Sequence, residues 1–215
     1  DIPQDIQNAR VEEADLYSEE AFISDVPQAD QVQIQDVLGM LRCAKRPCIL
    51  AGSGIISSHC RDAFEQFINK MGIPVIGGAW VADNLYAEHP LYYGNSGNVG
   101  PRTGNFILQN ADVILAMGNS LGFRQTGFNL EGFAPGARIV MVDADAEESR
   151  KPGLRIEKFV HADVGAFIGK MLEEDCRVQA PEEWLAYCDR LKERFTPYEG
   201  AEDIEPKERV NSYYF

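Results

Sequence analysis

The 215-residue chain is poor in the side chains that support metal or nucleophile chemistry. Its three histidines, His59, His89 and His161, stand far apart, and its five cysteines form no C-x-x-C pair. No metal-ligand spacing follows from them, which removes a zinc-dependent reading. An odd, unpaired cysteine set describes reduced thiols, and Cys43, Cys48 and Cys188 lie in apolar patterns where burial is expected. The chain has no apolar run near about 18 residues and no signal-peptide layout, so neither a membrane span nor a leader is expected, and a cytoplasmic location is. Basic residues are scarce too: 20 Lys and Arg against 34 Asp and Glu leave a formal charge of −14. Phosphate backbones and anionic membranes are therefore poor partners, because both require clustered cations.

What is present is globular in character. Hydrophobic residues make up 45% of the chain, enough for one substantial core. Residues 1–32 are acidic and weakly periodic and read as a connecting arm. From Gln33 the pattern turns regular: Ile34, Val37, Leu38 and Leu41 fall at helical spacing, and Arg46-Pro47 ends that helix. "CILAG" (48–52) reads as a buried strand. Ala63, Phe64, Phe67, Ile68 and Met71 form the inner face of a helix closed by Gly72. Further strands are expected at "IPVIGG" (73–78), "DVILAMG" (112–118), "RIVMVDAD" (138–145) and, shorter, "KFVHAD" (158–163). Helices are expected at 164–174 and 181–195, the second opening on Pro181 with acids in its first turn. Apolar strands without alternation, separated by helices, predict an α/β fold with a doubly wound, mainly parallel sheet.

Ligands of such sheets bind outside the carboxyl ends of the strands. Nearly every expected strand here ends in glycine or a small residue: Gly52-Ser53-Gly54, Gly77-Gly78-Ala79, Gly118-Asn119-Ser120, Asp143-Ala144-Asp145 and Ala162-Asp163. Each alone is a tight turn; together they predict a nucleotide cleft, since glycine lets backbone N–H groups approach a phosphate. The opening motif departs from the dinucleotide fingerprint, with Ser57 where the third glycine belongs and no acid at the end of "IPVIGG". An ordinary NAD-dependent dehydrogenase is therefore not expected. Asp143 and Asp145 could accept hydrogen bonds from a ribose, or cap the following turn. Arg124, in "GFRQTG", is a candidate partner for a phosphate or flavin oxygen. Ser58-His59 lacks an orienting acid and is not read as a catalytic pair. His89 is read as fixing its loop, and Trp80, Tyr92 and Tyr93 either line a pocket or pack.

Residues 88–145 resemble the central domain of thiamine-diphosphate-dependent enzymes, with acetohydroxyacid (acetolactate) synthase the nearest subgroup. The resemblance rests on His89-Pro90-Leu91, Gly94, Gly97, Gly100, "NADVILAMG", Arg124, Thr126-Gly127, "FAP" at 133–135 and the aspartates after "IVMV". It extends back to "RPCILAGSGI" and forward to "HADVGAFIGKML", about residues 30–175 in all. It implies a six-stranded Rossmann-like layer and a division into three parts. Residues 1–32 would lead from a pyrimidine-binding domain, 33–178 would be the central domain, and 179–215 would be a helix and linker toward a pyrophosphate-binding domain. Both chain ends would then be cuts through a longer polypeptide.

The resemblance further implies a parent that decarboxylates and joins 2-keto acids on thiamine diphosphate and Mg2+, as a homodimer or tetramer. Both groups would sit on the other two domains; no Gly-Asp-Gly motif for magnesium diphosphate occurs in this chain. No catalytic residue is expected here. FAD or ADP is the cofactor implied for this domain, at Gly52, Gly54, Gly77, Gly78, Ala79, Ser96, Gly97, Asn98, Gly100, Asn119, Ser120, Arg124, Asp143, Ala144 and Asp163. Two positions depart from the family: Asn98-Val99 replaces a Met-His pair, and Gly122-Phe123 replaces two acids. The alternatives are a stand-alone nucleotide-binding or flavoprotein module and an NAD-dependent protein deacylase. The deacylase wants a four-cysteine zinc site that the spacings do not provide.

Overall fold

The computed structural model describes residues 3–16, 26–78 and 88–195. Six strands form one sheet: β1 Pro47–Ala51, β2 Val75–Gly77, β3 Tyr92–Asn95, β4 Val113–Met117, β5 Arg138–Asp143 and β6 Ile156–His161. All pairings are parallel and the order is β3-β2-β1-β4-β5-β6, so the expected doubly wound fold is observed. Every residue of β1 and of β4 is buried. Because successive side chains point to opposite faces, unbroken burial means that both faces are covered.

The helices are α1 Gln4–Gln7, α2 Gln31–Arg42, α3 Gly54–Ser57, α4 Arg61–Met71, α5 Arg102–Asn110, α6 Phe123–Thr126, α7 Val164–Glu173 and α8 Glu182–Arg194. Helix α2 begins two residues before the apolar pattern does. Asp30 accepts from the Gln33 N–H at 2.7 Å while the Gln33 side chain accepts from the Asp30 N–H, which is a complete capping box. Its Ile34, Val37, Leu38 and Leu41 are all buried. Helix α4 closes on Gly72 in the left-handed conformation, φ +63°. Helices α2, α4 and α7 pack together, and α5 packs with α8.

Two elements escape the residue pattern. Strand β3, "YYGN", is four residues long and carries Gly94 at φ +85°. Helix α5 holds Gly104 in its interior. A Cβ there would stand 2.3 Å from the Asn95 carbonyl oxygen, so the helix and β3 touch where only glycine fits. Helix α8, beyond residue 178, is tied to the sheet: Trp184 Nε1 donates to the Pro47 carbonyl at 2.9 Å, and Tyr93 Oη to Asp189 at 2.8 Å. The arm before α2 also makes contact, since the Asp163 N–H donates to the Pro27 carbonyl at 2.8 Å.

Cys43 corrects an expectation. It follows the last turn of α2 and is exposed, whereas Cys48, Cys60, Cys176 and Cys188 are buried, and all five are free thiols. Helical spacing places a residue on a face only while the helix continues, and α2 stops at Arg42. Among the described residues, no helix is long and apolar enough to cross a membrane, and no group of three His, Cys, Asp or Glu is placed to hold a metal ion.

Candidate functional site

The strand order reverses between β1 and β4, the place where open α/β sheets leave a crevice. Three clefts follow one another along the carboxyl rim there. The central one, of 260 Å³, is lined by Gly52, Ser53, Gly78, Gly118, Asn119, Ser120, Gly122, Phe123, Arg124 and Gln125. On one side lies a cleft of 300 Å³ that shares Ser53, Gly118 and Ser120 and adds Gly54, Asp143, Ala144 and Asp163. On the other lies a cleft of 270 Å³ that shares Gln125 and adds Gly97, Asn98 and Thr126. The structure thus brings eleven of the fifteen sequence-derived positions to one edge; Gly77, Ser96 and Gly100 do not line these clefts, and Ala79, like Trp80, lies outside the described residues.

The glycines reach this rim for a reason other than phosphate approach. The Gly52 N–H donates to the Met117 carbonyl at 2.8 Å, and the Gly54 N–H to the Gly118 carbonyl at 3.0 Å. A Cβ on Gly52 would stand 2.0 Å from the Gly118 oxygen, and one on Gly54 would stand 2.6 Å from the Gly118 Cα. The two turns lie against each other, and their amides stitch β1 to β4 beyond the ladder. The amides of Gly78, Gly97, Asn98 and Gly100 are likewise engaged, with Ala51 O, Asn105 Oδ1, Arg124 O and Gly97 O. These six N–H groups thus already have acceptors within the chain, backbone carbonyls for all but Gly97, whose acceptor is a side chain.

The acids divide their work. Asp145 accepts from the Glu147 N–H at 2.9 Å and caps the short turn after β5, and it does not line the cleft. Asp143 accepts from the Asp145 N–H at 3.0 Å with one oxygen and is half-buried at the cleft wall. Burial pushes its carboxyl above the ordinary range, with Glu148 and Asp145 adding repulsion and Lys151 opposing. Asp163 caps α7 by accepting from the Ala166 N–H at 2.9 Å, and its other oxygen accepts from Ser58 Oγ at 2.5 Å. That bond places Ser58 on a capping carboxylate. His89 fixes its loop as expected: Nδ1 accepts from the Leu91 N–H, and Nε2 lies 3.2 Å from Asn69 Oδ1.

Arg124 is exposed on α6, its guanidinium 5.8 Å from the Phe123 ring centroid, where it can meet an oxyanion in the central cleft. Its neighbour Gln125 is buried and was not singled out by the sequence. It stands within the same "GFRQTG" segment, and only its burial marks it out.

A family model for the thiamine pyrophosphate enzyme central domain matches residues 34–171. The chain belongs to that family. Among curated relatives, the acetolactate synthase isozyme 1 large subunit of Escherichia coli is 33% identical over 153 residues, which is 70% of this chain and 26% of the relative. The acetolactate synthase large subunit of Corynebacterium glutamicum is 28% identical over 204 residues, covering 91% of this chain and 32% of the relative. Glyoxylate carboligase of Escherichia coli is 29% identical over 199 residues, covering 89% and 33% respectively. The chain therefore spans about a third of the length of the relatives it matches. As a thiamine pyrophosphate enzyme central domain it carries the fold that the resemblance implied, with the matched span running from α2 to α7.

Proposed function

We propose that this central domain is the middle part of an acetolactate-synthase-like enzyme, which decarboxylates a 2-keto acid and joins the product to a second carbonyl compound. On this reading thiamine diphosphate and Mg2+ sit on other domains of the same polypeptide and supply the carbanion chemistry. The parent is a homodimer or tetramer in the cytoplasm, and this domain contributes scaffold and an FAD or ADP site rather than a reacting group. The relatives' identities and their threefold greater length support it.

The observation that carries the nucleotide assignment is the row of three joined clefts at the strand-order reversal. Its chemistry is graded from end to end, and the residues present fit an adenine nucleotide. Asp143 at one end, beside Asp163, accepts from a ribose hydroxyl with the oxygen that does not bond the Asp145 N–H. Arg124 and Ser120 in the middle suit a diphosphate. Gly97 and Asn98 border the far end. Of the remaining positions, Gly52, Gly54, Gly78, Asn119 and Ala144 line the clefts.

The test has two arms. Purified chain is examined for an absorption band near about 450 nm, which flavins supply, and titrated with FAD and ADP by calorimetry. Saturable binding of either supports the site, and no heat with either ligand removes it. Supplied with pyruvate, thiamine diphosphate and Mg2+, the chain alone is expected to form no acetolactate; measurable turnover would move the chemistry onto these residues.

A further inference from the structure

A further cleft lies at the opposite end of the strands from the three at the rim and shares no residue with them. Its volume, 750 Å³, exceeds any of theirs and falls within the roughly 300–1,000 Å³ of small-molecule sites. One wall is the segment leading into β1, with Lys45 and Arg46, together with Asn110 at the end of α5. The other wall is α8, where Glu183, Tyr187 and Arg190 recur at the spacing of one helix face. Three cations against one carboxylate reverse, at this place, the balance of a chain with net charge −14.

These cations are positioned but unpaired. Asp112 accepts from the Lys45 N–H and from the Arg46 N–H, at 2.8 Å each, which fixes the segment. Arg46 Nε donates to the Asn110 carbonyl at 2.6 Å, leaving both terminal NH2 groups for another acceptor. Lys70, Lys151, Lys158, Lys170 and Lys192 each donate to a carboxylate or carbonyl oxygen. Among the described residues, the Lys45 ammonium and the Arg190 guanidinium have no such acceptor. Between Glu183 and Arg190 stands Tyr187, half-buried, its ring stacked on Trp184 with centroids 5.4 Å apart and planes 13° apart. Trp184 is itself held by its bond to the Pro47 carbonyl, so this flat apolar surface has a set orientation.

We infer that this cleft at the amino ends of the strands is a ligand site of its own, for a small polyphosphate that carries a planar ring, the chemistry of a nucleoside triphosphate. The guanidinium forks of Arg46 and Arg190 match phosphate oxygens in pairs, and Lys45 adds a point charge. Cations on both walls call for an anion that spans the cleft, which a run of phosphates does and a lone carboxylate does not. The ring stacks on Tyr187, in the way bases stack on aromatic side chains. Glu183 repels phosphate at its end of the α8 face, so the charged part of the ligand lies toward Arg190. The inference does not draw on the clefts at the carboxyl rim, and it stands or falls apart from them.

The experiment titrates the chain by calorimetry with pyrophosphate and with ATP, at low ionic strength and without divalent metal. Wild type is expected to bind both, ATP the more tightly. Lys45→Ala and Arg190→Ala are each expected to weaken both ligands about three- to tenfold, as loss of one exposed charge-assisted contact does. Neither side chain has a bond within the described residues to lose, so unchanged urea midpoints are expected of both variants. Tyr187→Ala is expected to weaken ATP and leave pyrophosphate as it was; equal effects on the two, or none, overturn the stacked ring. No binding of either ligand by wild type, or binding unchanged in both Lys45→Ala and Arg190→Ala, overturns the site. Binding that falls in Arg124→Ala while those two variants keep it places the polyanion at the carboxyl rim, overturning this site and leaving that one standing. Hexaglutamate that displaces ATP and binds more tightly makes the cleft a seat for an acidic protein segment and overturns the class of ligand.

Discussion

Replacing Gly52 by alanine tests whether the strand-order reversal is held by direct backbone contact. The added methyl would lie 2.0 Å from the Gly118 carbonyl oxygen, 2.4 Å from its carbon and 2.5 Å from the Asn119 Cα. None of these is the end of a flexible side chain. Ordinary contact is about 1.4 Å farther out, so the ends of β1 and β4 must part by that amount. Parting them breaks the bonds that cross the gap, Gly52 N–H to Met117 O at 2.8 Å and Gly54 N–H to Gly118 O at 3.0 Å. Overpacking costs about 1–3 kcal/mol and each lost bond about 0.5–1.5 kcal/mol. A destabilisation of about 4 kcal/mol follows, a large part of the 5–15 kcal/mol that domains typically have (about that range). With a urea slope of about 2 kcal/mol per molar, the midpoint falls by about 2 M. The control is Gly39→Ala: Gly39 is exposed in the interior of α2 with nothing within 4 Å of its Cβ position. That change is expected to stabilise by about 0.5–1 kcal/mol. A Gly52→Ala midpoint within about 0.5 M of wild type, at unchanged slope, would show that the turns are not in contact.

Three further expectations follow from particular side chains. Asp143→Asn is expected to raise stability at neutral pH. The native carboxyl titrates above its unfolded value, so the wild type loses stability as pH rises through that raised pKa, and the advantage of the variant vanishes below about pH 4. Urea midpoints across pH check it, and a variant no more stable than wild type at pH 7 contradicts it. Trp184→Phe removes the indole donor from the Pro47 carbonyl, and a loss of about 1–2 kcal/mol in the same assay is expected; no loss would mean that α8 is not anchored to β1. Iodoacetamide at mildly alkaline pH is expected to label Cys43 alone in the folded chain. Cys60 and Cys188 are pushed up to about 11 and about 12, and Cys48 well above the ordinary thiol value, chiefly by burial. Rapid labelling of more than one thiol by mass spectrometry contradicts this.

The buried strands were the most legible elements, because β1, β4 and β5 are unbroken apolar runs whose composition leaves few other fates. The amphipathic helices α2, α4 and α7 were equally plain, down to Gly72 as the stop of α4. Strand β3 was not legible, since "YYGN" is short and polar and sits at the sheet edge, where pairing on one side suffices. Helix α5 was hidden by Gly104, a poor helix residue kept for its contact with Asn95. At the rim, the sequence singled out Arg124 and the strand-end small residues, which do converge. It could not tell that the amides of Gly52 and Gly54 are spent on β4, because a glycine looks the same whether a ligand or another backbone approaches it.

Hydrophobic patterning and helix stops, which are local properties, determined the class of fold and the edge of the sheet where the clefts lie. The burial of Gln125, its bond to Ser96 Oγ and the use of the rim amides arise from residues far apart in the chain. Only tertiary packing decides them, because whether a polar group is satisfied depends on what the rest of the chain brings beside it.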